Sequence, residues 1–228
     1  MNEDEDAYIK PDPKHSALIV IDVQKDFTLN DAPAQIKGTL QTVPFIHQMV
    51  DYYREQKHPI FHIIRLYQKD GSNVDLCRRK MISENKKQMV IVGSSGADIV
   101  DELKPSSNIK LDFDLLLSGS PQQIGEMEWI MYKPRWGAFY NTSLEKFLHN
   151  LDVNTVVVCG CNYPNCPRTT IYEASERDFK TVMIKDATSL LYDKAIFELK
   201  NIGVSLMDTD EYLSWLLDKD STTIVQPN

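Results

Sequence analysis

The stretch from Thr155 to Thr170, TVVVCGCNYPNCPRTT, decides how this chain is interpreted. Its β-branched beginning is typical of a buried strand, and Gly160 ends that strand. A turn rich in Asn and Pro follows, and Pro167 suits the first turn of a helix, where its missing N–H costs nothing. The segment therefore predicts a strand, a tight turn and a helix, with Cys166 at the helix start.

Cys166 stands where a nucleophile belongs. Free backbone N–H groups and the positive end of a helix dipole stabilise a thiolate. We therefore expect a pKa for Cys166 well below the value of about 8.5 for a free thiol. Cys159 and Cys161 are expected to be small packing residues, with a redox pair as the alternative.

Composition limits the possible functions. A chain of 228 residues, 42% of them hydrophobic, can bury a full core. The net charge of -8 argues against nucleic acid or an anionic membrane as a partner, and no apolar run approaches the ~20 residues of a membrane span. Three of the four cysteines lie close together, which is not a disulfide framework. We expect a cytoplasmic protein that acts on a small molecule.

Apolar, β-branched runs alternate with segments of helical periodicity along the chain. This alternation predicts an α/β fold, a three-layer arrangement with a mostly parallel, doubly wound sheet. Helix 43–56 is expected to begin after an N-cap at Thr42, with Pro44 in its first turn. Predicted strands cover residues 17–22, 60–65, 126–132, 155–159, 181–185 and 204–207, and predicted helices cover 43–56, 141–149, 167–178, 194–201 and 210–217.

The chain divides into three predicted parts. Residues 1–15 form an acidic, flexible leader, residues 16–219 form one domain, and residues 220–228 form a flexible tail. The domain contains a loop-rich insertion at about 68–125. Such a long irregular stretch is usually a lid, a substrate-facing cap or an oligomer contact.

Three reactive side chains follow predicted strands: Asp22, Lys133 and Cys166. Ligands of parallel sheets bind beyond the carboxyl ends of the strands, so these side chains are expected to converge. Asp22 can accept the thiol proton, and Lys133 can hold both partners by its charge. Backbone N–H groups of the turn 161–166 can stabilise an oxyanion.

Three motifs carry a resemblance to a known family. They are LIVIDVQKDF at 18–27, KPRWGAF at 133–139, and Gly160 followed by Cys166. Together, and in this order over about 16–216, they resemble the isochorismatase-like cysteine hydrolases, the superfamily of isochorismatase, nicotinamidase and N-carbamoylsarcosine amidase. Residues 16–219 are therefore expected to be an isochorismatase-like hydrolase domain.

The resemblance implies an Asp–Lys–Cys catalytic triad at Asp22, Lys133 and Cys166, and a six-stranded α/β/α sheet. It implies a homodimer or homotetramer as well. Family members often have a non-proline cis peptide in the nucleophile turn, which maps here to Cys161–Asn162. Cys161, Asn162 and Tyr163 are thus the expected oxyanion turn.

This sequence departs from the family pattern beside the nucleophile, where Tyr163, Pro164 and Pro167 replace the common residues. The metal-binding Asp and His of nicotinamidases also have no counterpart after the second strand, so we expect no metal and no cofactor. Side chains near the motifs are candidates for substrate binding, with ordinary structural roles as the alternative. These candidates are Gln24, Phe27, Arg65, Arg135, Trp136 and Phe139.

The resulting hypothesis is a metal-independent cysteine hydrolase that cleaves a C–N amide or carbamoyl bond through a thioester. A catalytically silent scaffold or binding protein on the same fold is one alternative. Hydrolysis of an isochorismate-type vinyl ether is another. The sequence leaves the substrate open.

Overall fold

A seven-stranded sheet forms the centre of the protein, in a computed structural model that describes residues 6–84 and 86–222, with side chains up to residue 216. The strand order is β3-β4-β2-β1-β5-β6-β7. Neighbouring strands are parallel except for β3 and β4, which are antiparallel. The strands are β1 (Ser16–Ile21), β2 (Ile60–Ile64), β3 (Gln122–Gly125), β4 (Glu128–Tyr132), β5 (Thr155–Gly160), β6 (Lys180–Thr188) and β7 (Ser205–Met207).

Helices connect the parallel strands and cover the sheet. They are α1 (Lys25–Thr28), α2 (Thr39–Glu55), α3 (Phe113–Leu117), α4 (Leu144–Asn150), α5 (Cys166–Ser175), α6 (Asp193–Lys200) and α7 (Thr209–Thr222). Within the described residues, no helix combines the length and the apolar character that crossing a membrane requires.

Strand β1 shows why the central strands are apolar throughout. All six of its residues are buried. Ala17, Ile19 and Ile21 belong to one hydrophobic cluster, whereas Leu18 and Val20 belong to another. Since successive side chains of a strand point to opposite faces, both faces of the sheet are covered, as expected for parallel strands.

The predicted α/β class is confirmed, and all six predicted strands are present. The seventh, β3, was missed because Gln122-Gln123-Ile124-Gly125 is short and polar and pairs only at the sheet edge. The expected start of helix 43–56 is wrong. The helix begins at Thr39 after Gly38, and Pro44 lies inside it.

The insertion is more compact than its loop-rich sequence indicates. Its apolar side chains pack with those of Phe27, Ile64 and Leu66 into a third buried cluster. Backbone hydrogen bonds also join the insertion to the segment that follows β2. The Tyr67 N–H donates to Val90 O, and the Val92 N–H donates to Tyr67 O. Short helical turns occupy Leu76–Arg78, Lys80–Glu84, Ser95–Ala97 and Asp101–Leu103.

The domain boundaries stay predictions. Within the predicted leader, the Asp12 N–H donates to Thr155 Oγ1 at 3.0 Å, so this part of the leader contacts the domain. Residues 1–5 and most of the predicted tail, 223–228, lie outside the described residues.

Candidate active site

Backbone hydrogen bonds align three loops at the carboxyl edge of the sheet. The Asp22 N–H donates to Ile63 O at 2.8 Å, and the Lys133 N–H donates to Ile64 O at 2.9 Å. On the other side of β1, the Cys161 N–H donates to Ile21 O at 2.8 Å. The sheet ladder thus continues one residue beyond the strands, and this places the first residues of the three loops side by side.

Lys133 joins the other two predicted catalytic residues. Its Nζ lies 2.8 Å from Oδ2 of Asp22 and 3.2 Å from Sγ of Cys166. It also donates to Arg135 O at 3.4 Å. Lys133 is fully buried, and Asp22 and Cys166 are each 4% exposed. The structure therefore brings the three side chains together in an almost fully buried site.

The second carboxylate oxygen of Asp22 remains available. Oδ1 is buried and receives no hydrogen bond from a nitrogen or hydroxyl group of the described residues. Asp22 also has a φ of 53°, a left-handed conformation uncommon outside glycine. Unusual backbone conformations are often found at functional sites.

The expected low pKa of Cys166 is wrong. Burial, as the largest cause, and the negative charge of Asp22 raise the pKa of this thiol to about 11. Lys133 and Arg65 act in the opposite direction. Cys166 begins α5, as the sequence predicts, but the cost of burying a charge is larger than the benefit of the helix start. The resting group is a thiol, and its proton must leave when the substrate is bound.

The turn before α5 contains the cis peptide Cys161–Asn162, which confirms that expectation. Its N–H groups differ in availability. Those of Cys161 and Tyr163 are used, by Ile21 O and Ser189 O. Those of Asn162 and Cys166 donate to no group of the described residues, which leaves these two for an oxyanion. The expected oxyanion turn therefore needs correction, because the N–H groups of Cys161 and Tyr163 are already bonded.

The side chains of these two turn residues belong to the core. Cys161 is 1% exposed and Tyr163 is fully buried, and they lie in different hydrophobic clusters. The Tyr163 ring contacts Tyr192 edge to face, with 5.5 Å between centroids. Burial raises the pKa of Tyr163 to about 12, so it stays neutral at physiological pH.

Gln24 is wrong as a substrate-binding candidate. The Gln24 side chain is fully buried and bonds only to backbone: its Nε2 donates to the carbonyls of Arg65 and Ala97, and its Oε1 accepts from the Arg65 N–H. It fastens the insertion to β2. Phe139 packs against Phe179 and belongs to the same buried cluster as Tyr163 and Cys166, so its role as a candidate stays a prediction. Phe27 is buried in the cluster of the insertion.

Arg65 and Trp136 do lie at the site, together with residues that no motif of the sequence indicates. The Arg65 guanidinium carbon is 5.6 Å from the Trp136 ring centroid, and that of Arg78 is 4.5 Å from the same centroid. Asp75 accepts from Arg65 and from the Tyr67 hydroxyl. The signal that could have found Asp75 and Arg78 is their place in a long irregular segment after β2.

Arg135 contributes mainly through its backbone. Its carbonyl accepts from Lys133, while its Nη1 donates to Pro134 O at 2.7 Å. In the described part of the chain, no three His, Cys, Asp or Glu side chains are grouped as metal ligands.

Replacing Lys133 by Met should slow the alkylation of Cys166 by iodoacetamide. The ammonium group lowers the pKa of this thiol, so its loss raises that pKa and reduces the thiolate fraction. An adjacent opposite charge is worth about 1–3 pKa units, which predicts a rate at least about tenfold lower at pH 9. The rate is followed by mass spectrometry of the peptide that contains Cys166.

The exposed Lys146 provides the control, since Lys146→Met removes the same charge far from the site. Circular dichroism should first show that the variant is folded, because breaking a buried ion pair is destabilising. Equal alkylation rates in Lys133→Met and wild type would contradict the contact between the Lys133 ammonium and the Cys166 sulfur.

Comparison with known proteins agrees with this geometry. The family model described as the isochorismatase domain matches residues 16–111 and 118–211. The chain belongs to the isochorismatase family. A protein of Arabidopsis thaliana named as a probable inactive nicotinamidase is 31% identical over 204 residues, covering 87% of this chain and 95% of that protein.

Two further known proteins are similar to this chain. A crystal structure of an isochorismatase family protein from Desulfovibrio vulgaris has a TM-score of 0.74 and 27% identity, covering 89% of this chain and 98% of the other. The N-carbamoylsarcosine amidase of an Arthrobacter species is 22% identical, over 88% of this chain and 70% of that enzyme.

Proposed function

We propose that this isochorismatase-family protein is a cysteine hydrolase that cleaves a C–N amide or carbamoyl bond of a small molecule, without a metal ion. One observation carries the proposal: the Lys133 ammonium lies within hydrogen-bonding distance of both Asp22 Oδ2 and Cys166 Sγ. A carboxylate, an ammonium and a thiol in mutual contact provide a base, a charge stabiliser and a nucleophile.

In the first half of the reaction, Asp22 takes the proton from the Cys166 thiol through Oδ1. The thiolate attacks the substrate carbonyl carbon, and the electron pair of the C=O bond moves to oxygen. The free N–H groups of Asn162 and Cys166 stabilise this oxyanion. The C–N bond then breaks, and the leaving nitrogen takes the proton from Asp22, which leaves a thioester on Cys166.

In the second half, water replaces the departed amine. Asp22 takes one proton from that water as its oxygen attacks the thioester carbonyl. The tetrahedral intermediate collapses by breaking the C–S bond, and the proton returns from Asp22 to sulfur. The Lys133 ammonium stabilises whichever partner is negative, the Asp22 carboxylate or the Cys166 thiolate, at each stage.

The donor set after β2 supports chemistry without a metal. Asp75 is the buried carboxylate there, and its two oxygens already face the Arg65 guanidinium and the Tyr67 hydroxyl. The fixed charge of Arg65 beside it opposes the binding of a divalent cation.

Ammonia release and thioester trapping test the proposed function. We expect the wild type to release ammonia from at least one compound in a panel of small primary amides, ureides and carbamoyl compounds, and Cys166→Ser to release none. Acid quenching during turnover should also show a mass increase on the Cys166 peptide equal to the acyl group. Turnover retained in Cys166→Ser would contradict the mechanism.

A catalytically silent protein is the alternative, favoured by the name of the Arabidopsis relative. It predicts no ammonia from any compound in the panel, although Cys166 would still be alkylated. A redox pair of Cys159 and Cys161 has less support, because burial strongly raises the pKa of both thiols and so disfavours the thiolates that disulfide exchange requires.

A further inference from the structure

The insertion places a positively charged side chain beside the candidate active site. Arg78 ends the short helical turn Leu76–Arg78, and its guanidinium carbon lies 4.5 Å from the ring centroid of Trp136. Its Nη1 donates to the Tyr67 hydroxyl at 2.9 Å. Trp136 follows Lys133 by three positions in the chain. Arg78 as a whole residue is partly exposed.

A second guanidinium group lies behind the first. Arg65 is 1% exposed, and its guanidinium carbon lies 5.8 Å from the Tyr67 centroid and 5.6 Å from the Trp136 centroid. Its Nη1 donates to Pro134 O at 2.8 Å and faces Asp75 Oδ2 at 3.4 Å. Nε and Nη2 of Arg65 have no hydrogen-bond partner among the described residues. Buried donors without partners are rare in native proteins, so Nε and Nη2 of Arg65 are candidate donors to a further acceptor.

The buried charges of this region do not balance. Lys133 is paired with Asp22, and Asp75 faces Arg65. Arg78 is then left with a neutral phenol as its hydrogen-bond acceptor while Cys166 is a thiol. This excess positive charge acts electrostatically on Cys166. The charge of Arg65 lowers the pKa of Cys166, and burial alone would lower the pKa of Arg78, but Tyr67, Asp75 and Cys166 raise it.

We propose that Arg78, backed by Arg65, binds a carboxylate of the substrate, so that the hydrolysed amide or carbamoyl compound is anionic beside the scissile bond. This inference rests on the proposed function only for the identity of the bond that is cleaved. A planar guanidinium can bind a carboxylate through two parallel hydrogen bonds. Trp136 and Tyr67 hold Arg78 in place for this contact. The insertion thereby acts as a substrate-facing cap.

Two alkylating reagents test the subsite without requiring turnover. Iodoacetate carries a carboxylate, whereas iodoacetamide is its neutral analogue. In both reactions the Cys166 sulfur bonds to the reagent's CH₂ carbon, iodide leaves, and the thiol proton passes to Asp22 or water. Their rate ratio on Cys166 therefore reports attraction of the anion, and the thiolate fraction cancels. The exposed Cys77, next to Arg78, is first replaced by Ser.

In this Cys77→Ser protein, we expect iodoacetate to react faster than iodoacetamide. Arg78→Gln should lower the ratio of the two rates by about tenfold or more, as expected for the loss of a charge-assisted hydrogen bond. The rate ratio of Arg78→Lys should lie between the ratios of the Cys77→Ser protein and Arg78→Gln, because lysine keeps the charge but cannot form two parallel hydrogen bonds. Arg79→Gln is the matched control, since it removes the same charge from the exposed neighbouring residue.

A ratio that does not change in Arg78→Gln would overturn the carboxylate subsite, even if the protein hydrolyses amides. Conversely, a protein that releases no ammonia but shows the expected ratios would keep the subsite and lose the proposed function. If Arg79→Gln lowers the ratio as much as Arg78→Gln, the effect comes from general surface charge, and the subsite is also overturned.

Discussion

Asp22→Asn is expected to reduce kcat by about 10²–10⁴-fold, the usual contribution of a positioned general acid–base group. Asn has nearly the same shape as Asp and keeps an oxygen for Lys133, whose Nζ lies 2.8 Å from Oδ2. It cannot accept a proton from Cys166 or deliver one to the leaving nitrogen. Ammonia release from the best substrate of the panel measures the loss.

The same substitution should accelerate the alkylation of Cys166. The charge of Asp22 raises the pKa of this thiol, so removing it lowers the pKa and increases the thiolate fraction below about pH 11. In Asp22→Asn, the Lys133 ammonium is also left with the sulfur, 3.2 Å away, as its potential negative partner. Nucleophile reactivity and turnover are thus expected to change in opposite directions.

This opposition separates the role of Asp22 from mere loss of structure. A damaged site would lose both turnover and selective alkylation, whereas a lost proton carrier loses turnover alone. Asp152→Asn is the control, because Asp152 precedes β5 at the opposite edge of the sheet and its side chain is 93% exposed. Undiminished turnover of folded Asp22→Asn would contradict the assignment of Asp22 as the base, and slower alkylation would contradict the effect of its charge on the pKa of Cys166.

The fold was predictable where burial leaves a simple pattern. The residues of β1 and β5 are apolar because both faces of the sheet are covered, and such runs are recognisable without coordinates. The beginning of α2 was not predictable in the same way. Thr42 and Pro44 imitate a helix start, but the helix begins at Thr39, directly after Gly38, whose φ of 87° is left-handed.

The sequence predicts the site residues that directly follow strands, but it does not predict the charged residues of the insertion or the pKa of Cys166. Asp22 and Lys133 directly follow strands, so topology alone brings them together. Arg78 and Asp75 lie in a segment without periodicity, and only tertiary packing brings them to Trp136 and Arg65. The pKa of Cys166 depends on the depth of burial as well, which the helix-start argument leaves out.

Gly160→Ala is expected to destabilise the protein more than any ordinary surface change. Gly160 has a φ of 113°, and a Cβ atom would lie 2.3 Å from Ile21 O and 2.7 Å from Ile21 N. Backbone strain contributes about 1–3 kcal/mol and overpacking a similar amount, which gives roughly 2–6 kcal/mol of lost unfolding free energy. Denaturant unfolding monitored by circular dichroism measures this loss.

The clash also predicts a loss of activity in the molecules that remain folded. Ile21 O accepts the Cys161 N–H, and Ile21 directly precedes Asp22, so relief of the contact must separate the carboxylate from the nucleophile turn. Gly119→Ala is the matched control: its φ is 88°, but nothing lies within 4 Å of the added Cβ. It should show the strain of about 1–3 kcal/mol alone and keep full turnover. Equal destabilisation of the two variants would mean that β1 and β5 tolerate a wider separation, and the close approach of their backbones would then not be what positions Asp22.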